Sequence, residues 1–337
     1  MSAAPEDGES YVDWINRILR PEDHFAYSAL DLFAGCGGLA LGFEATGFET
    51  IGFEMNPDAC ESYRSNLLGS CTETTLTPQF DFPQADIVIG GPPCQPFSVG
   101  GQQRGLSDSR DGFPTFIAAV KAVQPKMWLF ENVRGMLYRN RWYLDEVLEQ
   151  LQASGYQVDL LVVNAKNFGV PQNRERVIAI GHQGGFVHPR ESGNQISAGE
   201  ALGELATSAP PESRFLTPSM DAYVAKYEAA SKCVNPRDLN LERPARTLTC
   251  RNLAGATGDM HRIKLADGRR RRLMVREAAR LQSFPDWFQF AGREDSQLTQ
   301  IGNAVPPLLA RSLAESVRKY LEGDRGESSK QDSLFSS

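Results

Sequence analysis

Between residues 28 and 181 the chain alternates short apolar runs with helical patterns, and this alternation limits the possible fold more than any other feature. The apolar runs cover 28–33, 48–54, 87–90, 127–131, 156–164 and 177–181. The helical patterns between them cover 39–46, 57–67, 114–123 and 141–154. Runs of four to nine apolar residues read as strands buried on both faces, and strand–helix alternation predicts an α/β fold with a mostly parallel, doubly wound sheet. Such sheets bind ligands beyond the carboxyl ends of their strands. A chain of 337 residues has room for one large domain and a smaller one.

Outside this block the pattern changes. Residues 1–27 read as a lead-in with a short helix at 11–19. From 182 to about 241 Gly, Ser and Pro rise and periodicity weakens, which predicts a separate, partly irregular module. Order returns at 243, with helices expected at 275–283 and 306–321, and the polar tail 322–337 is expected to be disordered. The acidic start lacks the basic and apolar parts of a secretory signal, and no apolar stretch approaches the roughly 20 residues that span a bilayer. Six cysteines without CxxC pairs predict reduced thiols in a cytoplasm, with neither a disulfide frame nor a metal site.

The net charge of −7 argues against a polyanion partner, but the distribution does not. Between Arg243 and Arg280 there are 11 Lys or Arg against 3 Asp or Glu, including the run Arg269, Arg270, Arg271 and Arg272. A local basic field can steer nucleic acid on an acidic protein, although such runs are also common on ordinary solvated faces.

Two glycine-rich turns follow predicted strands. Asp31-Leu32-Phe33-Ala34-Gly35-Cys36-Gly37-Gly38 closes the first strand and opens a helix, which lets backbone approach a ligand closely. The glycine spacing departs from the dinucleotide fingerprint by one position. Glu54, ending the second strand, suits a ribose with two free hydroxyls, and Met55 can lie on a flat ring. S-adenosylmethionine fits this pattern, with NAD as the rival. The second turn, Gly90-Gly91-Pro92-Pro93-Cys94-Gln95-Pro96-Phe97-Ser98, puts one thiol at a proline-stiffened strand end. A lone cysteine is more often a small core residue, but this setting suits a nucleophile.

In order, DLFAGCGG (31–38), GGPPCQPFS (90–98), ENV (131–133), QNRERV (172–177), RPARTLT (243–249) and GNAVPP (302–307) make the chain resemble the cytosine-5 DNA methyltransferases, of the bacterial restriction–modification type, over about residues 28–320. The resemblance implies a class I S-adenosylmethionine-dependent methyltransferase domain at 28–181, a small target-recognition domain at 182–272, and a return to the catalytic domain at 273–321. It implies cofactor contacts from Phe33, Gly35, Cys36, Gly37, Gly38, Glu54, Met55, Gly91, Pro92, Asn303 and Val305. The family's Gly-Asp-Ile segment is replaced here by Ser70-Cys71-Thr72-Glu73-Thr74, where Glu73 takes the aspartate's place by its spacing to Cys94.

The chemistry the family performs assigns the rest. Carbon 5 of cytosine is a poor nucleophile until a thiolate adds at carbon 6, and Cys94 supplies that thiolate. Glu131 is the carboxyl group for ring nitrogen 3, kept protonated by burial. Arg174 and Arg176 share a face of an extended segment, one for the cytosine oxygen, with Arg176 favoured, and one near the thiol. A water oriented by Gln95 is expected to take the carbon 5 proton. The target cytosine must leave the stack, and residues 98–112 read as a loop that closes over it. Pro93, Gln95, Ser98, Arg104 and Thr247 are the expected substrate contacts, with Gln102 and Gln103 beside them. Arg243, Arg251 and the arginine run are candidate phosphate contacts, and Arg190, Arg214 and Arg237 are available for base reading. Expected partners are duplex DNA, which a monomer binds, and a separately acting restriction endonuclease, in a bacterial cytoplasm, with no membrane and no metal. The alternatives are a tRNA cytosine-5 methyltransferase, whose Cys-Phe-Thr signature is missing here, and an inactive DNA-binding relative, which would lack the Pro-Cys or Glu-Asn-Val residues.

Overall fold

The computed structural model describes residues 5–6, 8–21, 23–93, 111–138, 140–230, 237–255 and 259–324. Its centre is a seven-stranded sheet in the order β3-β2-β1-β4-β5-β8-β6. The strands are β1 (Tyr27–Leu32), β2 (Phe48–Glu54), β3 (Ser70–Glu73), β4 (Ile87–Gly90), β5 (Met127–Val133), β6 (Gln157–Asn164) and β8 (Glu175–His182). Two-residue β7 (Gln172–Asn173) pairs instead with β9 (Ala245–Arg246). The run from β3 to β5 is parallel, and β8 is antiparallel to both β5 and β6. A short connection explains the reversal. Asn164 and Glu175 are paired across β6 and β8, with too few residues between them for a parallel crossover.

Side chains alternate between two cores, as a sheet covered on both faces requires. Ala29, Ile87, Ile89, Met127 and Leu129 face one core with α1 (Tyr11–Ile18), α2 (Gly38–Glu44), α9 (Val275–Leu281), α10 (Glu294–Asn303) and α11 (Pro307–Leu321). Leu30, Val88, Trp128 and Phe130 face the other with α4 (Phe113–Val123) and α5 (Arg141–Gln152). The helix α3 (Pro57–Asn66) links β2 to β3 and is capped by Asn56. At Gly42 an added Cβ would lie 2.3 Å from the backbone nitrogen of Arg311, so α2 and α11 pack at backbone distance.

Two parts of the chain differ from the sequence expectation. The edge strand β3 is absent from the predicted set because only Cys71 of its four residues is buried, too weak a pattern to register. The module expected from residue 182 begins within the main core: α6 (Ala198–Leu202) places Ala198, Ala201 and Leu202 there, against α9.

Beyond α6, α7 (Pro218–Ala230) supplies Met220 and Val224 to a small separate apolar cluster with Leu216 and Met260, whereas Leu253 of α8 (Cys250–Ala254) and Ile263 of β10 (Arg262–Lys264), the partner of β11 (Arg270–Arg272), belong to the main core. Ion pairs supplement this packing. Arg262 meets Asp238 at 2.9 Å and Glu228 at 3.2 Å, and Arg270 meets Asp238 at 2.8 Å and Asp221 at 3.2 Å. Arg271, fully buried, forks onto both oxygens of Glu277 at 2.9 and 2.6 Å. Half of the expected phosphate-binding run, Arg270 and Arg271, is therefore held by carboxylates within the protein. Arg270 and Arg271 hold this region together, and Arg269 pairs with Asp267. Local sequence could not reveal this, because most of the carboxylates lie tens of residues away.

Candidate active site

The first glycine-rich turn leaves β1 with Phe33, Gly35 and Gly37 at positive φ (59°, 57° and 89°). A β-carbon on Gly35 would meet nothing within 4 Å, so open space lies above the turn. One on Gly38 would lie 2.4 Å from the carbonyl oxygen of Val305, which brings the GNAVPP segment against the start of α2. Glu54, at the end of β2, accepts from the backbone N–H of Gly35 and of Asn56, both at 2.8 Å. Its register partner on β3 is Glu73. Met55 is 68% exposed beside them, and Asn303 is exposed at the end of α10.

Open backbone at the turn, a carboxylate at the next strand end and an uncovered thioether fit an adenosyl group. A β-carbon on Gly91 would also meet nothing within 4 Å, so there is open space at the end of β4 as well. Cys36 differs from the other residues of the turn. Its thiol is buried against the carbonyl of Gln300, and burial pushes it up to about 12, so its side chain is a packing group. Asp31 was not singled out from the sequence as a site residue. Both its carboxylate oxygens are buried without a hydrogen-bond partner among the described residues. Burial, then the charges of Glu54 and Glu44, push its carboxyl well above the ordinary range.

The second turn is held from β5. The Asn132 amide donates to the Pro92 carbonyl at 2.9 Å, and the N–H of Gly112 donates to the Pro93 carbonyl at 2.9 Å. Cys94, Gln95, Ser98 and Arg104 lie outside the described residues, as do Gln102 and Gln103. Next to Asn132, Glu131 pairs with Arg176 on the neighbouring β8, Nε to Oε1 at 2.7 Å, both side chains mostly buried.

Arg174 has another task. Its Nη1 donates to the carbonyl of Leu248 at 2.7 Å, and its Nη2 to those of Gly302 and Ala304 at 3.3 and 3.1 Å. Burial, then the nearby charge of Arg176, lowers it to about 9. Gln172 repeats the device, accepting from the N–H of Leu248 at 2.9 Å and bonding the side chain of Gln282. Thr247 donates to the carbonyl of Asn173 at 2.7 Å. QNRERV, RPARTLT and GNAVPP are thus joined through buried side chains. Sequence reasoning missed Asn132 and Gln172 as individual residues, although both lie inside motifs it had marked.

A model of the C-5 cytosine-specific DNA methylases matches residues 27–319. The chain belongs to that family. This DNA (cytosine-5-)-methyltransferase is 56% identical over 296 residues to the Type II methyltransferase M.AplI of Arthrospira platensis, covering 87% of this chain and 86% of the relative. It is 34% identical to the Type II methyltransferase M1.HphI of Haemophilus parahaemolyticus, covering 86% of each. The solved methyltransferase EhMeth of Entamoeba histolytica shares the fold, with a TM-score of 0.68 at 17% identity over 89% of this chain and 99% of that one. The methylase has the class I methyltransferase sheet expected from its sequence. Among the described residues no helix is long and apolar enough to cross a membrane, and no group of His, Cys, Asp or Glu could hold a metal ion.

Proposed function

We propose that this chain methylates carbon 5 of a cytosine flipped out of a specific duplex DNA sequence, as the modification enzyme of a restriction–modification system. The observation that carries the reading is the Glu131–Arg176 pair at a strand end, one residue from the Asn132 amide that holds Pro92. A carboxyl group and a guanidinium side by side suit the two polar atoms of cytosine's ring edge, nitrogen 3 and the exocyclic oxygen. Pro92 is two residues from the thiol that must reach carbon 6.

In this scheme the Cys94 sulfur bonds to carbon 6, the ring's electrons move toward nitrogen 3, and the thiol's proton ends there, with Glu131 placed to hand it over. Arg176 holds the exocyclic oxygen and orients Glu131. Arg174 and Gln172 position the segment that carries Arg176. Phe33, Gly35, Gly37, Gly38, Glu54, Met55, Glu73, Gly91, Asn303 and Val305 would hold S-adenosylmethionine, which supplies an electrophilic methyl group when bound. After transfer, a water takes the carbon 5 proton, the carbon 6–sulfur bond breaks, and the proton on nitrogen 3 returns through Glu131 to the departing thiolate, which restores the aromatic ring.

The test is covalent trapping. A duplex carrying 5-fluorocytosine at the target cannot lose a proton from carbon 5, so the wild-type chain should remain attached to it. The Cys94→Ala chain should not, and attachment of that variant would place the nucleophile elsewhere. Tritiated S-adenosylmethionine with duplex DNA and with tRNA separates DNA from the alternative polymer. The relatives named as Type II methyltransferases, and the missing Cys-Phe-Thr tripeptide, favour DNA.

A further inference from the structure

We propose that Arg237 reads a guanine in the major groove of the target duplex, and that Asp259 and Arg246 hold it in place to do so. The inference rests on duplex DNA being the substrate. Its starting point is an imbalance. Arg246 Nη1 and Arg237 Nε approach the same Asp259 oxygen, at 3.3 and 3.4 Å, so two guanidinium groups share one carboxylate and a positive charge is left over. The Nε of each is buried without a hydrogen-bond partner among the described residues. Close to them His261 is 2% exposed. It adds no negative charge to balance the pair.

Three arginines of the β10–β11 pair are not like this. Arg262, Arg270 and Arg271 each meet a carboxylate at 2.9 Å or closer. Arg246 also donates through Nη2 to the backbone carbonyl of Asp259, which fixes that residue, so among the described residues the unmet capacity lies with Arg237. Buried donors are normally paired, and an exception needs a reason.

The location supplies one. Arg246 lies in β9, whose partner β7 pairs Asn173 with Arg246 in parallel register. Adjacent strands lie about 4.8 Å apart, so the cluster borders the segment that carries Arg174 and Arg176. Arg237 is also rigidly mounted. Its neighbour Asp238 is gripped by Arg262 and Arg270, and the N–H of Leu239 donates to the carbonyl of Arg262 at 2.7 Å. The side chains of Arg237 and Arg246 are 28% and 30% exposed although the Nε of each is buried, so each side chain reaches solvent in part. A planar fork fixed on one side suits a planar pair of acceptors. Guanine presents O6 and N7 in that form in the major groove, whereas a phosphate needs only a mobile point charge.

The experiment measures binding, so it stands apart from the trapping test of the methylation chemistry. Duplexes bound by the wild-type chain are selected from a random pool. Each guanine of the selected site is then replaced in turn by 7-deazaguanine, which lacks the N7 acceptor. At one guanine the replacement should weaken wild-type binding by roughly 5- to 150-fold. Arg237→Ala should be indifferent to that same replacement. Arg237→Lys, which keeps the charge and most of the stem, should be indifferent too and covers the case of a variant that fails to fold. The proposal is overturned if no replacement affects the wild type. It is equally overturned if the variants keep the wild type's sensitivity at every guanine while losing affinity evenly and with a shallower salt dependence, since that is a phosphate contact.

Discussion

The side-chain amide of Asn132 donates to the carbonyl of Pro92 at 2.9 Å, across the β4–β5 strand pair. The bond ties Pro92, two residues before the proposed nucleophile, to the residue that follows Glu131. Asn132→Ala should therefore lower kcat by about tenfold to a hundredfold, since small displacements of reacting groups are costly. Binding of S-adenosylhomocysteine should be little changed. Single-turnover kinetics and calorimetry separate the two effects, and an unchanged kcat would remove the positioning role.

Glu131 and Arg176 lie side by side at 2.7 Å, and the proposed chemistry needs the carboxyl group. Glu131→Gln keeps the shape but cannot deliver the proton. Its kcat should fall by roughly 10²- to 10⁴-fold, the usual contribution of a positioned acid. Affinity for duplex DNA, measured by anisotropy, should stay within a few-fold of the wild type.

Gly38 leaves no room for a side chain because Val305 lies over it. Gly38→Ala should lower stability by about 1–3 kcal/mol through overpacking. It should also weaken S-adenosylhomocysteine binding, because the GNAVPP segment must shift to make space. Urea melts and calorimetry read both, and full retention of affinity would separate this segment from the cofactor site.

Arg271 and Glu277 are both fully buried, so truncating one strands the other's charge. Arg271→Ala should cost about 3–5 kcal/mol in urea denaturation. The double variant Arg271→Met with Glu277→Leu should recover most of that loss. If Arg271→Ala left stability intact but reduced the salt dependence of DNA binding, the residue would be a phosphate contact after all.

His261 connects packing to pH. Burial, then the nearby Arg246, lowers its imidazole from 6.5 to about 3. Above pH 6.5 both folded and unfolded chains hold it neutral, and it contributes nothing. Below 6.5 the unfolded chain takes a proton that the folded chain refuses. Stability should then fall by about 1.4 kcal/mol per pH unit from this group, down to about pH 3. His261→Gln should flatten the decline between pH 6.5 and 5 in urea melts, and identical slopes would show that the ring is not held neutral.

Much of the site could be read directly from the chain. The strand containing Asp31, the one ending at Glu54 and the one carrying Glu131 each follow from a buried apolar run, because a sheet covered on both faces leaves a local signature. Arg174 and Arg176 could not be told apart in that way. They sit two residues apart on the same segment, yet one is buried among the carbonyls of Leu248, Gly302 and Ala304 and the other faces Glu131.

What the amino-acid order determined was the α/β alternation, the strand ends where ligands can bind, and the residue types collected there. Only the tertiary structure decided which basic residues remain available to a partner. Arg270 and Arg271 appeared in the sequence as part of a basic run and proved to be held by Asp221, Asp238 and Glu277, while Arg237 and Arg246 share the single carboxylate of Asp259. The reason is range. Strand periodicity is set between neighbours two residues apart, whereas the fate of a buried charge depends on whichever carboxylate the fold brings within about 4 Å.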